Sequence, residues 1–241
     1  MSTLYFIRHG QASFGQANYD KLSELGEHQS QLLGEYWVNW GLALDAVYMG
    51  TLERQRMTQE LISRAYQAAS RPFPEPTAFP EFNEYDSSGI LTGSIAEVVA
   101  QHPEIMDLAM ELAPDGKPDL VNNKKAFQRL FARVMDLWVA GELDQVVPES
   151  WKDFTDRVNQ GIDRVIEENV SGKTVAIISS GGPISAAMQR ALGTADKLSM
   201  ELGWPIINSS ISEFRFSGNR FSLISFNLTP HLVEPGLISH R

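Results

Sequence analysis

Cysteine is absent from this 241-residue chain, and its absence excludes several kinds of site. Without it there is no disulfide framework, no thiolate metal site and no cysteine nucleophile. This composition fits a reducing compartment, and we predict a cytoplasmic protein. No apolar run approaches the roughly 18 residues of a membrane span, and the N-terminus is typical of a strand rather than a signal peptide. We therefore expect no association with a membrane.

Basic residues are scarce as well, because 20 Lys and Arg stand against 30 Asp and Glu, which gives a net charge of −10. An acidic surface disfavours nucleic acid as a partner, and any anion site must then be a local concentration of Arg and His.

Hydrophobic residues make up 43% of the chain, enough for a sizeable core. The length suits one large domain or two small ones, and the oligomeric state stays open.

Apolar runs with strand character alternate with amphipathic helical patterns in both the first and the last third of the chain. One helix is predicted to begin after Ser23 as N-cap, and a second covers residues 51–69, after which the prolines between positions 72 and 80 break regular structure. Ser217-Gly218-Asn219-Arg220 is a hairpin signal. This order predicts an α/β fold, with three α/β/α layers around a mostly parallel sheet. The predicted strands are 4–7, 44–49, 175–179, 210–216 and 221–226.

Between residues 94 and 169 the pattern changes to helices alone. In the middle of an α/β domain, such a block indicates a helical insertion into a single domain of residues 1–241. The insertion is either a structural subdomain or a lid over the strand ends, since lids often gate sites. The predicted helices are 94–112, 124–140 and 150–169, with a loop over 113–123.

Two motifs follow the first two predicted strands, and ligands bind outside the carboxyl ends of strands in open α/β sheets. Arg8-His9-Gly10 combines a planar cation suited to phosphate, an imidazole that can act as base, acid or nucleophile, and a glycine that permits close approach. Leu52-Glu53-Arg54 opens a helix, where Arg54 can lie beside a bound anion. The alternatives are a chance tripeptide at a strand end and an ordinary surface arginine.

Two later motifs have the same character. Phe82-Asn83-Glu84-Tyr85 closes the proline-rich stretch, and its Glu84 is either a general acid or a solvated loop residue. Ser179-Ser180-Gly181-Gly182-Pro183 leads from a strand into a helix, and its exposed amides suit a phosphate, or it is an ordinary turn. The remaining histidines have no ligand spacing, so we expect solvated or structural roles and no metal site. They are His28, His102, His231 and His240.

In this order the motifs resemble the histidine phosphatase superfamily, also called phosphoglycerate mutase-like. Residues 4–10 are similar to its strand that ends in Arg-His-Gly, and residues 20–26 to its Asp-x-x-Leu-Thr-x-x-Gly helix start. Leu52-Glu53-Arg54 with Thr58 resembles its Ser-x-Leu-x-Arg-x-x-x-Thr segment, with Gly50 in place of the first Ser. Phe82-Asn83-Glu84 resembles the stretch that carries its acidic proton donor.

The resemblance implies a mechanism that needs no metal or cofactor. His9 attacks phosphorus and forms a phosphohistidine, which divides one hard displacement into two easier ones. Arg8 and Arg54 hold the phosphoryl oxygens and offset their charge. Glu84 protonates the leaving oxygen and then takes a proton from water. The implied ligand is a small-molecule phosphomonoester or inorganic phosphate.

One position departs from the family pattern, which has a second histidine where this chain has Ser180. A hydroxyl donates one hydrogen bond but carries no positive charge. The resemblance therefore implies a branch with Ser in place of the second catalytic His, in which Ser180 and Gly181 contact the phosphate. Asn18 is the candidate for the family's phosphate-binding asparagine.

Three functions stay open on these residues. The first is a metal-independent phosphatase of reduced activity, and the second is a protein that binds a phospholigand in the same pocket without efficient turnover. The third is a serine hydrolase acting through Ser179 or Ser180, although the chain lacks Gly-x-Ser-x-Gly at that place. Mutase activity is less supported, because Glu84-Tyr85-Asp86-Ser87 stands where the mutase branch has Glu-Arg-His-Tyr-Gly.

Overall fold

The computed structural model describes residues 1–13, 20–91, 102–112 and 123–240. The chain divides into two compact units, one formed by Met1–Glu84 with Arg157–Arg241 and one formed by Tyr85–Asp156. The first unit holds the β-sheet, and the second is helical. That residues 94–169 are an insertion into a single domain stays a prediction. In the described ranges no helix combines the length and the apolar character that crossing a membrane requires.

Strands and helices alternate along the first unit, and helices alone occupy the middle of the chain. The strands are β1 (Ser2–Arg8), β2 (Ala46–Met49), β3 (Pro76–Ala78), β4 (Thr174–Ser179), β5 (Ile211–Ser217) and β6 (Arg220–Leu228). The helices with both ends among the described residues are α1 (Glu24–Trp40), α2 (Glu53–Ala68), α3 (Pro103–Leu112), α4 (Lys124–Val139), α5 (Trp151–Glu168), α6 (Gly181–Leu192) and α7 (Asp196–Gly203). Residues 87–91 are also helical, up to the edge of a described range. Short 3₁₀ helices cover Pro80–Phe82 and Pro235–Leu237.

The six strands form one sheet in the order β3-β2-β4-β1-β5-β6. The β3-β2, β2-β4 and β4-β1 pairs are parallel, and β5 and β6 add two antiparallel pairs at one edge. The predicted α/β class and mostly parallel sheet are confirmed. The predicted hairpin is also present, and Gly218 supplies the positive φ of 56° that its two-residue turn requires.

Apolar side chains cover both faces of the sheet, because alternate residues of a strand point to opposite faces. Tyr5 and Ile7 of β1 pack with Trp37 of α1 and Ile62 of α2 in one buried cluster. On the other face, the Phe6 ring meets the rings of Phe82 and Phe214 edge-on, at centroid distances of 5.8 and 5.9 Å. Two covered faces explain why the central strands are apolar runs rather than alternating ones.

The proline-rich stretch contains a strand that the sequence pattern did not predict. Pro76–Ala78 pairs in parallel with β2, with Pro76 opposite Val47. Proline lacks a backbone donor, but β3 stands at the edge of the described sheet, and an edge strand tolerates proline because only one side of its ladder is paired. The expectation that the prolines break regular structure throughout was therefore wrong at this position.

The predicted helices agree with the structure to within about two residues, except at one proline. The pattern predicts a continuous helix over 94–112, but α3 begins only at Pro103, and His102 before it is not helical. Proline disfavours a helical conformation in the residue before it and fits the first turn of a helix. Residues 92–101 and 113–122 lie outside the described residues, as does the rest of that helix and most of the loop over 113–123.

The helical unit has its own aromatic cluster. The Trp138 ring of α4 lies near the rings of Tyr85, Trp151 and Phe154, at centroid distances of 4.9, 5.3 and 6.0 Å. The Trp138 indole N–H donates to the Glu149 carbonyl at 2.8 Å. A buried indole with its polar atom satisfied contributes apolar area without a desolvation penalty.

Two glycines allow the segment after β1 to approach α1 closely. A Cβ at Gly10 would lie 2.2 Å from the Gly26 carbonyl oxygen, and a Cβ at Gly26 would lie 2.1 Å from the Gln11 carbonyl oxygen. Ser23 caps this helix as predicted, since its hydroxyl accepts from the Gly26 N–H at 3.1 Å. The chain turn that carries His9 is thus packed against helix backbone.

Gly26→Ala tests this close approach. The added Cβ must displace backbone atoms, so we expect a loss of about 1–3 kcal/mol in the free energy of unfolding, measured by urea denaturation. Gly236→Ala is the matched control, because nothing lies within 4 Å of a Cβ there. Its effect should stay within about 0.5 kcal/mol. Equal stability of the two variants would contradict the packing described.

Candidate active site

His9 lies at the carboxyl end of β1, beside the end of the neighbouring strand β4. The strands pair in register up to Arg8 opposite Ser179, and the His9 N–H continues the ladder with a bond to the Ser179 carbonyl at 2.8 Å. The His9 carbonyl accepts from the Asn208 side chain and the Ser209 N–H, each at 3.2 Å. The backbone of His9 is therefore held on both sides.

The His9 ring is held in one tautomer. Its Nδ1 lies 2.6 Å from the Gly10 carbonyl oxygen, and its Nε2 lies 3.0 Å from Nε of Arg54. A carbonyl only accepts hydrogen bonds, and the guanidinium only donates them. The proton therefore sits on Nδ1, and Nε2 presents a lone pair.

The surroundings of His9 also keep the ring neutral. The side chain is 5% exposed, and burial lowers the pKa of His9 well below its usual range. The Arg54 and Arg8 cations lower that pKa further, because they repel a positive imidazolium. A neutral imidazole with an unprotonated Nε2 is the nucleophilic form.

Arg54 projects from the first turn of α2 and is fixed from several directions. Its guanidinium pairs with Asp20 at 2.5 Å, and the second Asp20 oxygen accepts from the Glu53 N–H at 2.7 Å. The Thr58 hydroxyl donates to the Arg54 carbonyl at 2.8 Å and accepts from the Gly10 N–H at 3.0 Å. Thr58 thus connects the helix that carries Arg54 to the turn that carries His9.

The Arg8 guanidinium donates to the Ile206 carbonyl. The side chain is half-buried, and its charge is near enough to His9 to contribute to the lowered pKa of that ring. Arg8 and Arg54 together concentrate positive charge around one imidazole in an otherwise acidic chain. The predicted phosphate contact Asn18 lies outside the described residues.

The Glu84 side chain, from the loop after β3, lies beside the first turn of α6. Both its carboxylate oxygens are near the Gly182 N–H, at 3.1 and 3.2 Å, and the amino end of a helix favours a negative group. Arg157 holds the preceding loop, since the two hydrogens of one terminal nitrogen are shared among three carbonyl oxygens. These belong to Pro80, Glu81 and Asn83, at 3.2, 2.9 and 3.1 Å.

Ser180 stands at the N-cap position of α6, without a capping bond from its side chain, and is fully buried. Its hydroxyl oxygen accepts from Nε2 of Gln55 at 2.9 Å, and the same amide donates to the Phe82 carbonyl at 3.0 Å. The Ser179 hydroxyl donates to that carbonyl as well, at 2.8 Å. Ser180 is therefore tied to α2 and to the loop before Glu84.

The structure brings the predicted residues together in linked groups. His9 contacts Arg54, and Glu84 contacts the turn that contains Ser180 and Gly181. A Cβ at Gly181 would lie 3.9 Å from the Glu84 carboxylate. Sequence reasoning assigned no role to three residues that hold this group in place. They are Asp20, Gln55 and Arg157; only the first two stand within or beside a recognised motif.

The comparison with protein families decides the classification. The model of the histidine phosphatase superfamily (branch 1) matches residues 4–143 and 125–229. The chain belongs to this superfamily. No curated protein matches the chain.

Solved structures agree with this assignment at the level of the fold. A phosphoglycerate mutase from Bacillus anthracis has a TM-score of 0.64 at 18% identity, over 96% of this chain and 95% of its own. A phosphoserine phosphatase from Entamoeba histolytica, in complex with 3-phosphoglyceric acid, has a TM-score of 0.61 at 17% identity, over 97% and 100%. An alpha-ribazole phosphatase from Shigella flexneri has a TM-score of 0.56 at 18% identity, over 94% and 96%.

In this histidine phosphatase superfamily member, we expect His9 to stay neutral in mildly acidic solution. An unperturbed histidine titrates near pH 6.5. The pKa of His9 lies well below that value, so His9 becomes protonated only at a lower pH. Long-range proton–nitrogen NMR correlations at pH 6 should show the Nδ1–H tautomer, with the signal assigned by its loss in His9→Gln. An imidazolium pattern for His9 at that pH would contradict the geometry.

Proposed function

We propose that this chain is a phosphatase that hydrolyses a small-molecule phosphomonoester through a phosphohistidine on His9. The observation that carries the proposal is the His9 ring, whose Nδ1 bond to Gly10 leaves the Nε2 lone pair beside Arg54 in a buried, cationic site. An uncharged nucleophile flanked by fixed cations suits attack on a dianionic phosphoryl group.

In the first half-reaction the Nε2 lone pair of His9 attacks phosphorus, and the bond from phosphorus to the ester oxygen breaks. Glu84, in its protonated form, donates its proton to that leaving oxygen, which departs as an alcohol. The phosphoryl group takes the place of Nε2 as acceptor of the Arg54 N–H, and Arg8 adds a second cation. The products of this step are a phosphohistidine and a Glu84 carboxylate.

In the second half-reaction Glu84 takes a proton from water while the water oxygen attacks phosphorus. The bond between phosphorus and Nε2 breaks, and inorganic phosphate leaves. His9 is then neutral again, and Glu84 again carries a proton. In both half-reactions Nδ1 of His9 keeps its proton and its hydrogen bond to the Gly10 carbonyl, so no proton has to move on the ring.

A protein that binds a phospholigand without efficient turnover is the second candidate, and Ser180 favours it. Ser180 adds no positive charge where the family pattern has an imidazole, and losing an oxyanion donor costs on the order of 10²–10³ in rate. The hydroxyl still supplies a hydrogen bond, so we favour catalysis at a reduced rate. Small-molecule phosphate esters are the proposed ligands in either case.

A serine hydrolase has no support from the contacts of the two serines. Among the described residues, the Ser179 hydroxyl bonds to a carbonyl and the Ser180 hydroxyl to an amide, and neither is bonded to a histidine. A serine nucleophile needs an adjacent base. His9 is engaged with Gly10 and Arg54 instead.

Phosphate release from p-nitrophenyl phosphate, phosphoserine and 3-phosphoglycerate, in buffer containing a chelator, tests the proposal. We expect wild type to release inorganic phosphate and His9→Ala to release none. Glu84→Gln should slow phosphoserine hydrolysis by about 10²–10⁴, since an alkoxide leaving group needs a proton. Release of p-nitrophenol in the first turnover should slow less, because p-nitrophenolate leaves without a proton, although later turnovers are limited by the attack of water.

The rapidly quenched Glu84→Gln protein should also accumulate an acid-labile phosphoryl group, because attack by water has lost its base. Gln67→Glu is the control, since Gln67 is exposed on α2. Activity retained in His9→Ala would refute the assigned nucleophile. A wild type that binds phosphate but hydrolyses no ester would favour the binding protein, and transfer of phosphate to a second hydroxyl without release would indicate a mutase.

A further inference from the structure

Gln55 follows Arg54 in the first turn of α2 and is fully buried. Every polar atom of its amide is used: Nε2 donates to Ser180 Oγ and to the Phe82 carbonyl, and Oε1 accepts from the Leu52 N–H at 3.2 Å. The side chain therefore joins α2, the loop before Glu84 and the turn that opens α6. Both hydrogens of its amide are donated to these partners, so the side chain has no donor left for a phosphate group.

The direction of one of these bonds sets the role of Ser180. The Ser180 hydroxyl has a single proton, and it accepts a hydrogen from Gln55. Its own proton must then point toward some other acceptor. Gln55 thus keeps the hydroxyl available as a donor, on the same turn whose Gly182 N–H binds the Glu84 carboxylate.

Gly50 makes the room that Gln55 occupies. A Cβ at Gly50 would lie 2.0 Å from Oε1 of Gln55 and 2.6 Å from Oδ1 of Asn83. The Asn83 side chain is fixed by hydrogen bonds with Thr51. Neither the Gln55 nor the Asn83 side chain can therefore move away from such a Cβ without breaking hydrogen bonds. The serine that the family pattern has at position 50 is incompatible with the Gln55 side chain in this place.

We propose that Gln55, in the space left by Gly50, is a positioning residue that holds the Ser180 hydroxyl as a hydrogen-bond donor to the substrate phosphoryl group. This inference rests on the proposed function, because it assigns the phosphate to the pocket around His9. On this proposal, the two differences from the family pattern, Gly50 in place of serine and Ser180 in place of histidine, belong together. The Gln55 amide, in the space at Gly50, orients a hydroxyl where the family pattern has a second imidazole.

A purely structural role for Gln55 makes different predictions. Gln55 is the third residue of α2, and its bond to the Leu52 N–H is one half of a capping box, a position where Glu serves as well as Gln. Gln55→Glu keeps that cap but cannot donate to Ser180 when ionised. Gln55→Met removes both the cap and the donor without adding charge.

The experiment is a double-mutant cycle between Gln55→Met and Ser180→Ala, with inorganic phosphate as the probe in calorimetric titrations. Gln55→Glu is measured alongside, with and without Ser180→Ala. Gln67→Met on the exposed side of α2 is the matched control and should bind phosphate as wild type does. Thermal unfolding of each variant, and kcat and KM on p-nitrophenyl phosphate, complete the set.

Ser180→Ala alone should weaken phosphate binding about ten- to hundred-fold, the range for losing a hydrogen bond to a charged group. In the Gln55→Met protein the same change should cost less than about threefold, because the hydroxyl is no longer held there. Gln55→Glu, at a pH where its carboxyl group is ionised, should weaken phosphate binding at least as much as Gln55→Met does, because a carboxylate has no hydrogen to donate to Ser180.

An equal cost of Ser180→Ala in both backgrounds would overturn the inference, as would wild-type phosphate affinity in Gln55→Glu. If Gln55→Met does not fold, the Gln55→Glu pair supplies the same comparison. A wild type that binds phosphate but hydrolyses no ester refutes turnover alone, and the binding cycle still decides the role of Gln55. A wild type that does not bind phosphate overturns both proposals.

Discussion

The hydrogen bond from Nδ1 of His9 to the carbonyl of the next residue is the contact on which the rest of the site depends. It fixes the protonated nitrogen and thereby turns the Nε2 lone pair toward Arg54. The bond exists only while the turn after β1 keeps its place, and that place is set by the close approach of Gly10 to the backbone of α1. Glycine packing, which carries no chemistry of its own, therefore determines which atom of the imidazole is reactive.

Charge is concentrated at this site by burial rather than by composition. The chain is acidic, with a net charge of −10, yet burial first and then the Arg54 and Arg8 cations lower the pKa of His9. Arg54 remains oriented because Asp20 pairs with the side of the guanidinium that does not face the imidazole. The Asp20 carboxylate offsets part of the positive charge of the site. It also holds the Arg54 side chain in one conformation before a ligand binds, so binding does not have to order that side chain.

The sequence predicted what local patterns determine and missed what distant contacts determine. The strand-end motifs with His9 and Arg54 were recognisable because both the periodicity and the functional residues lie within a few positions of each other. Gln55 and Arg157 gave no comparable signal, since the groups to which their side chains donate lie 27 to 125 and 74 to 77 positions away along the chain. The edge strand at Pro76 was missed for the same reason, because its pairing with β2 overrides a residue type that disfavours strands.

The Ser180 substitution shows why one position compared alone misleads. Taken singly, a serine in place of an imidazole suggests a weakened site. In the structure the hydroxyl has an amide donor on α2, and that donor occupies space which a side chain at Gly50 would fill. Because a buried amide without partners is costly, Gln55 is stable only while Ser180, Phe82 and Leu52 supply its bonds. Changes at positions 50, 55 and 180 are thus energetically coupled, and reverting only one of them leaves either a steric clash or an unpaired polar group.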